Sequence, residues 1–493
     1  MGAGARPRDA PLGGADRARR LVRGASLLAR RPRDPPPHPA RPARRHLPGG
    51  DGRLAALTAR AHAALARRPL EDAVDGALLG LLAAAATWNA FAYPSIGGYD
   101  AAEHIGYARE FVERGSIPSE GAFYTPPGFY ALAGGATKLG EWLGFSEPEH
   151  LAQLLNALLV VATGALLLLL TRLLFPGRLV LRWAALGFFV ACPIVLKTAA
   201  MFHPQTLALF LSTAALTLAA WMIARRRYRW WTFLALAALL GLGQLVRSVG
   251  IFTAIVVLVA FAAVAVARPE DRRAVGRAFA VLAAVVVLIP LPWYVHLQLT
   301  TGQSVFGRGA SDVPLWDRWP AAFYVSPGLP DVLTNPHRES LPPRFLPILY
   351  TETWGDYFGI WSWGTARADM SPAVNRRLVV QSVVGAPLTF VAVGGWLALL
   401  ALALTRLRER VAQLLVALLP PIALAGALFY AVRNPTPDAD VVKGLFLLTA
   451  VPAWAVSFGF AVDVLARADR RLGLVLGAAL ALCGVVSFSY AIA

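Results

Sequence analysis

Long apolar runs, cut at near-regular intervals by short clusters of arginine, dominate this chain and constrain its fold more than any other feature. Eleven such runs can be read, at roughly 73–93, 151–174, 183–199, 206–223, 230–246, 249–267, 279–299, 378–404, 411–432, 445–465 and 472–491. Most approach the ~20 residues that a helix needs to cross a lipid bilayer. In lipid every backbone N–H and C=O must find its partner within the protein, and a helix meets that demand inside one segment. With 57% hydrophobic and 15% charged residues, the sequence leaves little material for a separate soluble domain. The expected fold is an all-α polytopic membrane protein of about eleven transmembrane helices.

The arginine clusters orient it. Residues 1–70 carry the run "RRPRDPPPHPARPARRHLPGG" and are expected to form a disordered Arg/Pro-rich cytoplasmic tail, followed by one membrane domain over 71–493. The first apolar run starts near Ala73 and is long enough to span, so it reads as a helix rather than a secretory signal. With the tail inside, the loops at 172–182, 225–229, 268–277, 406–410 and 467–471 fall on the same side, and all are rich in arginine. The connections at 199–205, 247–248 and 433–444 fall outside and are poor in it, as the positive-inside rule requires. An odd number of crossings puts the C-terminus outside.

The net charge of +18 therefore belongs to the cytoplasmic side, where it meets anionic lipid, and a nucleic-acid partner is excluded. Cys192 and Cys483 lie within apolar runs and offer neither a disulfide framework nor metal-ligand spacing.

Two long outer loops remain, at about 94–150 and 300–377. The first begins "GGYDAAEHIGYAREF", Gly97 to Phe111. Asp100, Glu103, His104 and Tyr107 follow one helical spacing, and Ala101, Ile105, Ala108 and Val112 follow another. That pattern predicts an amphipathic helix on the membrane surface, apolar side down and ionisable side up. The segment 122–145, "AFYTPPGFYALAGGATKLGEWLGF", is predicted to form a second surface or re-entrant helix.

In order, the acidic cluster, "GSIP", "YTPPGFYAL", "MFHPQTLALFL", "GLGQLVRSVG" and "VVKGLFLLTAVPAW" resemble the GT-C glycosyltransferases, in particular the branch of protein O-mannosyltransferases and the lipid A aminoarabinose transferase. The resemblance covers about 73–465. Asp100 and Glu103 are separated by two alanines, where many relatives have adjacent acids. The resemblance implies a sugar donor carried on a polyprenyl phosphate, moved with inversion on the extracytoplasmic face. The acceptor it implies is a protein, a lipid or a polysaccharide. The excess of Arg over Lys, with abundant Ala, Gly and Pro, reads as the coding bias of a GC-rich bacterial genome and places that face on a bacterial plasma membrane.

Such a displacement needs one carboxylate to take the acceptor's proton, cations for the leaving phosphate and an apolar groove for the lipid. Asp100 or Glu103 can supply the base, although acids on a surface helix also pair with neighbours such as Arg109 or Arg114. With them His104 could complete a site for a divalent metal ion, the one cofactor this cluster suggests; otherwise it is an interfacial histidine bonded to a neighbour.

Only three lysines occur in this arginine-rich chain, Lys138, Lys197 and Lys443, all at the outer face or its boundary. Lysine meets phosphate as a compact point charge, so Lys443 is the first candidate phosphate ligand, with Lys197 and Arg247 beside it. All three positions also suit cations that anchor helix ends. Tyr124 and His203 are further candidates for the substrate site. In the second outer loop Trp354, Trp361, Trp363 and Asp356 either line a sugar or acceptor site near Glu352 or form an interfacial aromatic belt.

Other classes fit less well. A transporter or flippase of lipid-linked saccharides needs ionisable groups near the midplane, whereas the span centres here hold only neutral polar residues such as Asn156, Ser212, Thr213 and Gln381. An outer-face glycan polymerase or ligase would differ in using a diphosphate-linked donor.

Overall fold

The computed structural model describes residues 50–302, 313–361, 371–436 and 438–493, with 50–69 and 315 as backbone only. Two units are distinguished, Met1–Ala63 and Ala64–Ala493, and everything below concerns the second. The tail at 1–49 lies outside the described residues; helix α1 (Gly50–Ala92) begins within the segment read as tail.

All regular structure among the described residues is helical. Among the described residues nine helices are long and apolar enough to cross a membrane, from Leu70–Ala92 to Arg470–Ala491, and a bent pair makes a tenth. The pair is α5 (Leu179–Ala191) and α6 (Pro193–Ala200), bent by 51°. Pro193 causes the break, because it lacks an N–H and its ring clashes with the preceding turn's carbonyl. The helix Trp230–Val246 is apolar but has only 17 residues. Each of the eleven runs read from the sequence coincides with one of these elements.

Between α1 and α4 (His150–Leu174) lie two shorter helices, α2 (Ala101–Arg114) and α3 (Gly128–Trp142). They pack on each other so closely that a Cβ on Gly134 would come within 2.6 Å of the Ala108 carbonyl oxygen. Ile105, Tyr107 and Ala108 of α2 join Phe129, Tyr130 and Ala133 of α3 and Phe202, Leu207 and Ala208 in one buried apolar cluster. The faces of α2 differ from the sequence reading here. His104 and Tyr107 turn inward with the apolar residues, while Glu103 and Val112 are exposed. Protein rather than lipid covers the apolar face, and the aromatic rings of α3 draw the polar pair in with it.

Neutral polar residues on α4 fix the turns around this region. Gln153 Nε2 donates to the carbonyls of Tyr93 at 3.2 Å and Ala200 at 2.6 Å. Asn156 Nδ2 donates to those of Met201 at 3.0 Å and His203 at 3.2 Å. Each bond satisfies a buried carbonyl where the helical ladder is interrupted. The last helix returns to the same end of the bundle, with Asn89 Nδ2 donating to the Ala491 carbonyl at 2.6 Å.

Candidate active site

Asp100 stands immediately before α2 with φ 55° and ψ 27°, in the left-handed region. A side chain there costs on the order of 1 kcal/mol, and Asp is one of the few residues that tolerate it. An Asp in front of a helix ordinarily turns its carboxylate back onto the first-turn N–H groups. This backbone forbids that, and no side-chain cap is made. Oδ2 instead accepts a 3.1 Å hydrogen bond and ion pair from Lys443 Nζ.

Lys443 lies just ahead of the turn Gly444–Ala450 that opens the tenth apolar run. Its side chain is 17% exposed against 41% for that of Asp100, so the pair sits at a half-open surface. Nζ also lies 4.9 Å from the centre of the Tyr99 ring. The Tyr99 hydroxyl donates to Glu352 Oε2, and Glu352 Oε1 accepts from the backbone N–H of Phe358 at 3.2 Å. Gly444 makes this proximity feasible, because a Cβ there would meet the Glu352 Cβ at 2.6 Å. A ladder therefore runs from Asp100 through Lys443 and Tyr99 to Glu352, joining the segment between α1 and α2, the helix Phe345–Trp354 and the start of the tenth run.

The electrostatics differ sharply along it. Burial works to raise the Asp100 carboxyl, but Lys443 and Arg247 outweigh it and hold the group below the ordinary carboxylate range. Asp100 is an ionised proton acceptor at neutral pH. Glu352 is fully buried, and burial, aided by the charge of Asp356, pushes its carboxyl up to about 7 against the opposing pull of Lys197. Burial first, then the charges of Glu352 and Asp356, put the Tyr99 hydroxyl well above its usual value, so it stays protonated and donates.

Arg247 follows helix α8 (Trp230–Val246) in extended conformation, with its guanidinium 5.5 Å from the centre of the Phe446 ring. That ring meets Tyr430 edge to face at 5.7 Å. Tyr124 is half-buried, and its hydroxyl is raised by burial and by the charge of Asp100. Thus Lys443, Arg247 and Tyr124 share the electrostatic surroundings of Asp100, bounded by aromatic rings.

The histidines lie deeper. His104 Nδ1 shares a 2.6 Å hydrogen bond with the Tyr130 hydroxyl, and its ring meets that of His203 edge-on at 4.9 Å. Burial, followed by the charge of Arg247, drives His104 down to about 3, so it is neutral. His203, whose Nδ1 accepts from the Gln205 N–H at 3.2 Å, is held well below its ordinary value by burial and by His104. Among the described residues no group of three or more His, Cys, Asp or Glu side chains is placed to hold a metal ion. The grouping of His104 with Asp100 and Glu103 is not assembled, because His104 has turned into the α2–α3 interface.

Several candidates sit elsewhere. Lys197 is 4% exposed and turns its ammonium to the backbone carbonyls of Glu352, at 3.5 Å, and Gly355, where it holds the end of the helix Phe345–Trp354. Lys138 pairs with Glu113 at 3.1 Å and Glu141 at 2.9 Å on the surface. Asp356 accepts the N–H groups of Ile360 at 3.1 Å and Trp361 at 2.8 Å, which organises a turn. Trp354 is buried edge-on against Phe188 and donates to Thr389 Oγ1 at 2.8 Å. Trp361 stacks on Tyr93 at 4.4 Å, and Trp363 lies outside the described residues. Trp354 and Trp361 are thus both packed against other rings of the protein. Sequence reasoning passed over Tyr99, although it directly precedes Asp100, and over Tyr430 and Phe446.

The described residues form an all-helical, multi-pass fold similar to that of GT-C glycosyltransferases, with an ionisable cluster directly after the first long apolar helix. More particularly, the family model for dolichyl-phosphate-mannose-protein mannosyltransferases matches residues 125–296. The Archaeoglobus fulgidus oligosaccharyltransferase, in complex with Zn and sulfate, shares the fold at 15% identity and TM-score 0.51, covering 84% of this chain and 53% of that one. ArnT from Cupriavidus metallidurans, bound to undecaprenyl phosphate, shows 17% identity and TM-score 0.47, covering 83% of this chain and 64% of that one. The chain thus spans from about half to just under two thirds of the length of these two structures. No curated protein matches it.

Proposed function

We propose that the protein transfers a hexosyl or pentosyl group from a polyprenyl-phosphate donor to an acceptor on the extracytoplasmic face, with inversion. The observation that carries this reading is the uncapped, ionised Asp100 held 3.1 Å from Lys443 with Arg247 nearby. Asp100 takes the proton of the acceptor hydroxyl as its oxygen bonds to the anomeric carbon. The bond from that carbon to the phosphate oxygen breaks with its electron pair, and the polyprenyl phosphate leaves with its charge met by Lys443 and Arg247. The match to a family described by its dolichyl-phosphate-mannose donor supports this donor class. Arginine-poor outer connections support the extracytoplasmic side.

Asp100 is favoured over Glu103 as base. Glu103 is exposed and its described surroundings contribute no cation comparable to Lys443. The test is single-turnover transfer of labelled sugar from polyprenyl phosphate in proteoliposomes. Wild type should transfer and Asp100→Asn should not; lipid flipping without turnover would establish the transporter reading instead.

A further inference from the structure

At the end of the bundle remote from Asp100, helices α9 (Gly250–Ala267) and α10 (Arg272–Leu288) form a hairpin with a cleft between them. The cleft follows directly from residue size. Phe261 on α9 and Phe279 on α10 frame it, while Ala262, Ala265 and Gly276 leave its middle open. The half-open cleft holds about 400 Å³, and a Cβ on Gly276 would meet nothing within 4 Å. In a bilayer such an apolar cleft is filled by the solvent around it, which is lipid.

Arg272 decides which lipid. It lines the cleft, is exposed, and sits one turn before Gly276 on the same face of α10. Three neighbouring arginines are engaged. Arg226 and Arg408 pair with Glu270 at 3.3 and 3.5 Å, and Arg268 donates to the carbonyls of Arg408 at 3.1 Å and Ile223 at 3.2 Å. Arg272 has no carboxylate partner among the described residues. Its guanidinium presents a planar fork suited to two phosphate oxygens. Arg273 and Arg277 add positive charge on the adjoining turn.

We propose that this cleft binds an anionic phospholipid, with its phosphate on Arg272 and an acyl chain lying between Phe261 and Phe279. The place is separate from the sugar-transfer site. The 18 residues of α9 span roughly 27 Å between Gly250, three residues from Arg247, and the hairpin. The lipid bound here is therefore not the donor proposed above, and the assignment stands independently of that reading.

The test is native mass spectrometry of the full chain released from nanodiscs of mixed phosphatidylglycerol and phosphatidylcholine. Wild type should retain phosphatidylglycerol preferentially. Arg272→Ala should reduce that preference about fivefold, the loss expected for one arginine at a lipid surface, and Arg272→Lys should restore only part of it, because an ammonium cannot present the planar fork. Gly276→Leu, which fills the open cleft, should reduce retention of both lipids. A monodisperse elution profile for each variant confirms that the bundle is intact. Equal retention of the two lipids by wild type, or an unchanged preference in Arg272→Ala, overturns the proposal. Displacement of the phospholipid by equimolar polyprenyl phosphate would equally overturn it, by making the cleft a carrier-lipid site.

Discussion

Lys443 Nζ lies 3.1 Å from Asp100 Oδ2 across 343 residues of sequence, and the same ammonium rests on the Tyr99 ring. One cation is thus shared between the proposed base and the position where a donor phosphate would arrive. Lys443→Ala should weaken donor binding by roughly ten- to hundredfold, the worth of about 1.5–3 kcal/mol for a charged hydrogen bond. It should also let the Asp100 carboxyl rise, because its main counter-charge is gone. The acid limb of the rate profile would then move to higher pH. Lys443→Arg should recover part of the affinity and most of the limb. Donor titration across pH checks both, and an unshifted limb with unchanged affinity would remove Lys443 from the site.

Asp100→Asn separates binding from chemistry. The amide keeps the shape of the side chain but cannot take a proton, so single-turnover transfer should fall on the order of 10²–10⁴-fold. Donor affinity should hold or rise, since Lys443 no longer divides its charge with a carboxylate. Glu103→Gln should stay near wild type in both measurements. A larger loss in Glu103→Gln than in Asp100→Asn would move the base one turn along α2.

Periodicity and length were enough to read the bundle. Every apolar run from 73 to 491 corresponds to a helix, because hydrophobic length is the requirement lipid imposes. The bend at Pro193 and the inward turn of His104 were not legible. Both depend on what packs alongside, and helical spacing alone assigned His104 to the face of Glu103. In the site, rarity singled out Lys443, and position after the first span singled out Asp100. Nothing local indicated that Lys197, equally rare, would be turned onto the carbonyls of Glu352 and Gly355. Tyr99 escaped notice because its role exists only once Glu352 and Lys443, more than 250 positions away, are folded against it.

Gly444 offers a test of the ladder that alters no functional group. In Gly444→Ala the new methyl would meet the Glu352 Cβ at 2.6 Å and the Ile194 side chain at 3.2 Å. Overpacking of this kind costs about 1–3 kcal/mol where the neighbours can shift. The shift must separate the Lys443 segment from Glu352, so transfer should fall more steeply than thermal stability. Gly477→Ala, in open space on the helix Arg470–Ala491, is the control; it should leave transfer unchanged and raise the unfolding midpoint slightly, as alanine does inside a helix. Unfolding midpoints in lipid and transfer rates of the two variants decide it; equal behaviour would mean the Lys443 segment moves freely.

Glu352 makes a pH prediction whose sign is fixed by its environment. Its carboxyl titrates at about 7 in the fold and at about 4.3 when unfolded. Between those values the folded state holds a proton that the unfolded state has lost, so this group's contribution to stability declines as pH rises from about 4 to 7. Above that window it is level. His104, driven down to about 3, acts in the opposite sense, because the unfolded chain binds its proton up to about 6.5. The raw profile mixes the two, and the informative quantity is the difference between wild type and Glu352→Gln. The amide keeps an acceptor for the Tyr99 hydroxyl and the Phe358 N–H but cannot titrate. Relative to this variant, wild type should lose stability steadily from pH 5 to 7 and then run parallel to it. A flat difference across that range would show that Glu352 is ionised throughout, which would require a counter-charge nearer its carboxylate than Lys197.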